Sequence, residues 1–295
     1  MVVTYSLMFG PVKIGYSLAT FLFGLVTAQT YVYYQDFTDD PLPLKLLVAV
    51  VWATHLTHQI SMSHCEHWYL VKFFGFPTSL VRKAPSTTAI VVESSALISF
   101  LVPAFFTYRL WMSSKRPIQT TLLAFFLTAR LITMTVLGVF TAHASSFVAS
   151  FSNSRALIVF CWICGAAVDV SLTIALCYDL HIRQRSTMYR TARIIDRLKT
   201  WCIATGMATS TAATVMAICF CVLDNNLWVG ILFILPGLFS NSLLASLNLR
   251  RSLRHMDQVR TSNLAQVPIP TIHSPSSQNA TGISIHMDVL TDTPH

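Results

Sequence analysis

Two residues of opposite charge stand inside long apolar runs, where ionised side chains are rare. Arg130 lies near the middle of residues 118–141, and Asp169 lies near the middle of residues 156–180. A charge near the centre of a bilayer is costly unless it is paired or hydrated, which makes both residues functional candidates. The two runs are joined by a short connection and are therefore antiparallel, so we expect Arg130 and Asp169 at similar depth, paired directly or through water. Such a pair either only fixes helix packing or forms part of a ligand or ion site.

A second set of polar residues combines imidazoles with a carboxylate. His55 and His58 are three residues apart and share one helix face, and Glu93 is expected at a similar depth on the next helix. Together they could bind a metal or relay protons, or each could simply hydrogen-bond to a neighbouring helix. Because the sequence supplies no further ligand beside them, we predict no metal and no cofactor.

The last apolar run carries two amides. Asn241 and Asn248 lie within SNSLLASLNLRR, and their spacing places them near one helix face. Amides inside a membrane must face other helices or an internal cavity. We therefore group both asparagines with the five polar residues above as a candidate ligand-binding cluster within the helices.

The composition identifies the solvent that surrounds these residues. Of 295 residues, 54% are hydrophobic and 11% are charged, whereas soluble chains carry about 25% charged residues. The mean hydropathy is +0.58, the net charge is +8 and the pI is about 9.3. In a soluble protein this charge would indicate nucleic acid as a partner, but here the charges lie between apolar runs. We therefore predict a lipid bilayer as the partner and no nucleic acid.

Seven apolar runs are long enough to cross a bilayer, which takes about 20 residues. The second is the weakest because histidines interrupt it, and the seventh contains a Pro-Gly pair that a membrane helix tolerates. The predicted fold is an all-α membrane protein, a seven-transmembrane helix bundle, with helices near 14–34, 44–62, 87–110, 118–141, 156–180, 201–223 and 229–249.

The distribution of basic residues predicts the orientation. With the N-terminus outside, the inner segments hold 14 Lys and Arg residues and the outer segments hold 5, with Arg130 inside a span. The positive-inside rule therefore favours an extracellular segment 1–13 and a cytoplasmic C-terminus. Residues 255–295, rich in Ser, Thr and Pro, are predicted to form a disordered cytoplasmic tail. Cys65 and Cys161 are both expected near the outer face, which would allow a disulfide between them.

The connection at residues 181–200 is the most basic inner segment. It carries six of the basic residues, among them Arg183, Arg185, Arg190 and Arg193. A receptor would use such a loop to contact a cytosolic partner. The alternative is topology together with attraction to anionic lipid, which also accounts for the charge.

Four stretches carry a resemblance to a known family. They are LPGLFSNSLLASLNLRRSLR near the end of the seventh run, AVDVSLTIALCY at 167–178, IDRLKTWCIATGMATS at 195–210, and AQTYVYY at 28–34. Together they resemble a family of basidiomycete seven-helix membrane proteins that carries domain of unknown function 6534. The resemblance extends over residues 14–254 and implies a fungal multi-pass membrane protein, without implying catalytic residues.

Three classes of function remain open. The first is a receptor-like sensor that binds a small ligand within the bundle. It is favoured by seven helices, an outer N-terminus, a basic inner loop and a Ser/Thr-rich tail. A light-driven opsin is excluded because the seventh run has no lysine. A transporter or channel could use Arg130, Asp169 and Glu93 along a polar path. A membrane enzyme is the third alternative, and it is the least favoured because no Ser-His-Asp set, H-E-x-x-H or phosphate-binding loop occurs.

Overall fold

The architecture is a succession of long helices. The structure is a computed structural model that describes residues 2–73, 83–113, 117–144, 154–185, 189–223 and 226–265. A short π-helical turn, Trp68–Lys72, follows the second helix. Within the described residues there is no strand, which confirms the all-α class there. The α-helices are α1 (Val2–Asp36), α2 (Leu42–His67), α3 (Thr87–Ser113), α4 (Pro117–His143), α5 (Arg155–Arg185), α6 (Tyr189–Val222) and α7 (Leu227–Ala265).

The helices extend beyond the apolar runs that predicted them. Helix α1 begins at Val2 rather than near residue 14, and α6 begins at Tyr189 rather than near residue 201. Helix α7 continues to Ala265, into the region predicted as a disordered tail. The added residues of α6 and α7 contain no Gly or Pro, so nothing in them interrupts a helix. Residues 266–295 of the predicted tail lie outside the described part of the chain. The chain divides into two units, Met1–Arg254 and His255–His295.

Helix α2 runs antiparallel to α1 along nearly its whole length. Side chains late in α1 meet residues early in α2, and side chains early in α1 meet residues late in α2. The contacts are Tyr34 Oη to the Lys45 carbonyl (2.8 Å), Trp52 Nε1 to Thr27 Oγ1 (3.2 Å), Gln59 Nε2 to Thr20 Oγ1 (2.6 Å), Tyr16 Oη with Ser63 Oγ (2.9 Å), and the ion pair of Lys13 with Glu66.

Helix α7 runs parallel to α1 and closes the bundle against it. The Asn241 amide donates to the Leu22 carbonyl at 3.1 Å, and the Asn248 amide donates to the Gln29 carbonyl at 2.9 Å. Both bonds join residues 219 positions apart, and only helices that run in the same direction keep that offset constant. We call these contacts, with the glycines described next, the α1–α7 seam.

Glycines allow the two helices of the seam to approach closely. A Cβ added at Gly230 would overlap the Pro11 carbonyl oxygen, and one added at Gly15 would overlap the Gly230 backbone. A Cβ at Gly237 would lie 2.8 Å from Leu22 Cβ. Small residues at such positions are a common means of packing helices in lipid, because they bring backbones within van der Waals contact.

An ion pair joins α7 to the turn between α1 and α2. Arg250 Nη2 lies 2.6 Å from Asp40 Oδ2, and Tyr33 Oη donates to the same carboxylate oxygen at 3.0 Å. The Arg250 guanidinium also lies over the Phe37 ring, 4.5 Å from its centroid. These contacts lie beyond Asn248 and extend the seam toward the end of the bundle that holds Asp40.

The outer faces of the helices are apolar. Phe21, Ile118, Phe125 and Ile174 all expose more than half of their surface, and soluble proteins rarely expose large apolar surfaces to water. Within the described residues, six helices are long and apolar enough to cross a membrane: Phe9–Asp36, Thr87–Ser113, Pro117–His143, Arg155–Ile182, Ile203–Val222 and Leu227–Arg250. The chain is therefore a multi-pass membrane-type helical protein. Helix α2 is not among the six.

Candidate functional site

A cavity lies where α3, α4, α5, α6 and α7 meet. Its volume open to the centre of a water molecule is about 60 Å³, room for about four waters. Most of the wall is apolar, with Trp162 and Phe239 as its aromatic members. The polar residues of the wall are Ser95, Ser99, Arg130, Thr141 and Asp169. Two of the predicted site residues, Arg130 and Asp169, are therefore brought to one cavity.

The Arg130 guanidinium is buried without enough partners. Its Nε and Nη1 atoms are shielded from solvent and have no hydrogen-bond acceptor in the described residues. The guanidinium lies 5.9 Å from the centroid of the Phe239 ring, which offers a weak cation–π contact. It also lies against α5 at Gly165, where an added Cβ would come within 2.9 Å of Arg130 Cζ. The absence of a side chain at Gly165 is what makes room for the charge.

Asp169 supplies the second charge of the cavity. Its side chain is buried, with 5% of the residue exposed. No direct ion pair or hydrogen bond joins it to Arg130 in the described part of the chain. The two residues share the cavity, as expected of antiparallel neighbours, and their pairing through water stays a prediction.

The imidazoles and Glu93 are directed toward different helices. Glu93 Oε2 accepts a hydrogen bond from Thr135 Oγ1 at 3.3 Å on α4. His58 Nδ1 lies 3.0 Å from Ser94 Oγ. Since Glu93 and Ser94 are adjacent in α3, they point about 100° apart. The described residues contain no group of three or more His, Cys, Asp or Glu side chains that could hold a metal ion.

His55 is the least satisfied of the imidazoles. It is fully buried, neither ring nitrogen has a partner among the described residues, and its ring packs on Phe23 with centroids 5.2 Å apart. His58 is equally buried, and its Nδ1 also lies 3.4 Å from Ser95 Oγ. Because Ser95 lines the cavity, its hydroxyl connects His58 to the cavity wall.

Sequence reasoning missed several residues of the cavity wall. Ser95 and Ser99 are four residues apart on α3 and so share a helix face, a spacing that could have identified them. Gly165 carries no such signal, because a glycine inside an apolar run reads only as a small packing residue. Its importance follows from the approach of Arg130, which only tertiary structure reveals.

The asparagines of α7 lie away from the cavity. Asn241 and Asn248 face α1 in the seam, where each side-chain amide donates to a backbone carbonyl. Their Oδ1 atoms are buried without a partner among the described residues. Of the two expectations for these amides, contact with another helix is the one that the geometry supports.

Other predicted positions lie outside the described side chains. Arg183 and Arg185 belong to the last turns of α5, and Arg190 and Arg193 to the first turns of α6. Their side chains lie outside the described part, as do residues 186–188 entirely. Segment 181–200, predicted as a loop, is therefore largely helical where it is described.

Cys65 and Cys161 do not form the disulfide that their predicted positions would allow. Both are buried free cysteines. Cys65 Sγ instead lies 3.4 Å from Thr87 Oγ1 and 3.6 Å from Thr88 Oγ1 on α3.

A second, smaller cavity adjoins the first. Its volume open to the centre of a water molecule is about 40 Å³. Asp169 and Phe239 line both cavities, whereas Thr173, Thr209 and Ser242 line only the second. On α3, α5 and α7 the residues of the second cavity follow those of the first. The cavities are therefore stacked along the helices, with Asp169 and Phe239 between them.

Comparison with known proteins matches part of the chain to a family model. A family model described as a family of unknown function (DUF6534) matches residues 165–252. The match supports the expected domain of unknown function over α6 and most of α5 and α7. Asp169, Asn241 and Asn248 lie within the matched residues, whereas Arg130 and the stretch at 28–34 lie outside them. No curated protein and no solved structure matches the chain. The matched part of the chain is thus similar to a family whose activity is unassigned.

Proposed function

We propose that the chain crosses the membrane seven times, with an outer N-terminus and a cytoplasmic C-terminus. The additional crossing is α2, whose polar residues lower its hydropathy. Its contacts with α1 extend from the Lys13–Glu66 pair to the Tyr34–Lys45 contact, about 30 Å along α1 at 1.5 Å per residue. That distance equals the thickness of the hydrocarbon core, which supports a crossing by α2 beside α1.

The direction of α7 supports the same count. Successive crossings alternate in direction, so the first and last helices of a bundle are parallel only if the number of crossings is odd. The constant offset of the Asn241 and Asn248 bonds makes α1 and α7 parallel. Six crossings would make them antiparallel. The orientation itself rests on the excess of basic residues at one side.

Within this bundle we propose a receptor-like role, in which a small ligand binds in the cavity between α3, α4, α5, α6 and α7. The observation that carries the proposal is the buried Arg130 guanidinium with two unpartnered nitrogens in that cavity. An incompletely paired charge at this position lowers stability rather than adding to it, which supports a role in binding. The DUF6534 match leaves this role open. We also propose that the chain comes from a basidiomycete.

Chemical modification tests whether the cavity admits polar solutes. In a background whose native cysteines are replaced by alanine, Ser99→Cys lies in the cavity wall, and Leu97→Cys lies on the exposed, lipid-facing side of α3. A membrane-impermeant, zwitterionic methanethiosulfonate should modify Ser99→Cys and leave Leu97→Cys unmodified. If Ser99→Cys reacts only after denaturation, the cavity is closed to such solutes and the proposed role fails.

The second candidate is a transporter, and the stacked cavities favour it. Asp169 and Phe239 separate the two spaces, as a gate on a transport path would. Uptake of radiolabelled alanine into proteoliposomes, abolished in Asp169→Asn, would support transport over reception. Ligand-dependent binding of a cytosolic protein to segment 181–200, lost when Arg183, Arg185, Arg190 and Arg193 are replaced, would support reception.

A further inference from the structure

Arg130 and Asp169 place two opposite charges on one cavity without letting them touch. We propose that the cavity binds a small zwitterion, such as a free amino acid, with its carboxylate on Arg130 and its ammonium group on Asp169. This inference rests on the proposed function, namely that the cavity is a ligand site, and it adds the chemical class of the ligand.

Arg130 requires an acceptor that the described residues do not supply. A guanidinium keeps its charge in proteins, so its unpartnered Nε and Nη1 atoms remain hydrogen-bond donors without an acceptor among the described residues. The Phe239 ring on one side and the α5 backbone at Gly165 on the other fix where the group lies. A carboxylate in the cavity would accept from such donors in strong, charge-assisted hydrogen bonds.

Asp169 decides against a simple anion. A carboxylate ligand without a positive group would meet the buried carboxylate of Asp169 in the same cavity, and an amine without a carboxylate would meet Arg130. Because the two cavity charges sum to zero, a ligand of zero net charge leaves no uncompensated charge in this low-dielectric place. A zwitterion satisfies both residues at once.

The walls restrict the rest of the ligand. Apart from Arg130, Asp169 and three hydroxyl side chains, the cavity is lined by apolar groups, including Trp162, Met216 and Phe239. Its volume of about 60 Å³ open to the centre of a water molecule is small for a ligand site. These properties fit an amino acid with a short apolar side chain rather than a large or strongly polar one.

Two glycines provide a matched pair of variants. Alanine at Gly165 would place its Cβ 2.9 Å from Arg130 Cζ and move the guanidinium, while the charge is kept. Alanine at Gly138 would overlap the carboxylate of Glu93, a charge that does not line the cavity. Both changes add one methyl group beside one charged side chain, so they differ in which charge is displaced.

The experiment uses the purified full-length protein and compares two zwitterions, alanine and β-alanine, with two singly charged probes of similar size, propionate and propylamine. Binding is measured by calorimetry and by the shift in the unfolding temperature. We expect the zwitterions to bind at least tenfold more tightly than either singly charged probe. Arg130→Met, Asp169→Asn and Gly165→Ala should each weaken zwitterion binding at least tenfold, and Gly138→Ala should leave it unchanged.

The outcomes separate the two proposals. Equal binding of propionate or propylamine would overturn the zwitterion inference, and so would an equal loss in Gly138→Ala and Gly165→Ala. Failure of all probes to bind would also overturn it, while modification of Ser99→Cys would still support a ligand cavity of another chemistry. If Arg130→Met does not fold, the probe comparison on the unaltered protein and Gly165→Ala still decide the matter.

Discussion

The α1–α7 seam and the cavity differ in whether their buried polar groups have hydrogen-bond partners. In the seam, the amides of Asn241 and Asn248 reach backbone carbonyls of α1, and Arg250 reaches the carboxylate of Asp40. In the cavity, Nε and Nη1 of Arg130 have no acceptor among the described residues, although Asp169 lines the same space.

The difference distinguishes polar groups that stabilise the fold from polar groups that are available to a ligand. A donor that is bonded to another helix contributes to packing, and its loss should weaken the fold. A charge that is buried without a bonded partner weakens the fold, and its loss should cost nothing or even stabilise. The seam therefore holds the bundle closed, and the cavity is the place where a solute can complete the hydrogen bonding.

The largest expected effect on stability lies at the close approach of α1 and α7. Gly230→Ala places a Cβ on the Pro11 carbonyl oxygen, which is rigid backbone, so the helices must separate. We expect a loss of about 2–3 kcal/mol in the free energy of unfolding, measured by denaturant titration in detergent. Gly24→Ala is the matched control, since nothing lies within 4 Å of its added Cβ. Equal effects of the two variants would show that α1 and α7 do not pack here.

A smaller effect is expected at the ion pair that ends the seam. Asp40→Ala removes the acceptor of Arg250 and of Tyr33 Oη. Because the Arg250 side chain is 37% exposed, water compensates part of the loss, and we expect about 1–2 kcal/mol. Asp39→Ala, an exposed neighbour, should change stability little. High salt should reduce the difference between the two variants, and a difference that is insensitive to salt would argue against an ion pair.

The asparagines of the seam should have the smallest effect among these sites. Asn241→Leu and Asn248→Leu each remove one hydrogen bond between α7 and α1, and such bonds in membranes average about 0.6 kcal/mol. Thr128→Val serves as the control, because its hydroxyl bonds only within α4 on an exposed face. A gain in stability in both leucine variants would mean that these amides serve something other than the seam.

The sequence predicted the helices well where apolarity alone decides them. Runs such as 87–110 and 118–141 differ from α3 and α4 by only a few residues at either end. Apolar length reports the part of a helix that lies in lipid, so it missed the polar extensions of α6 and α7. It also leaves α2 ambiguous, because His55, His58 and Gln59 are buried against α1 and α3 rather than exposed to lipid.

The candidate site was only partly predictable. That Arg130 and Asp169 share a depth follows from two antiparallel helices, and the structure places them on one cavity. Their separation could not be foreseen, since it depends on the space at Gly165 and on the Phe239 ring from α7. The contacts of Asn241 and Asn248 with α1 could not be foreseen either, for a related reason. A helix face can be read from spacing, but the neighbour that it meets cannot.

The most direct test of the contrast is the stability of a chain without the two cavity charges. In the double variant Arg130→Met/Asp169→Asn, the free energy of unfolding without added ligand should equal or exceed that of the unaltered protein, because no bonded partner is lost. A decrease as large as that of Gly230→Ala would contradict the account, since it would show that the charges hold the bundle together.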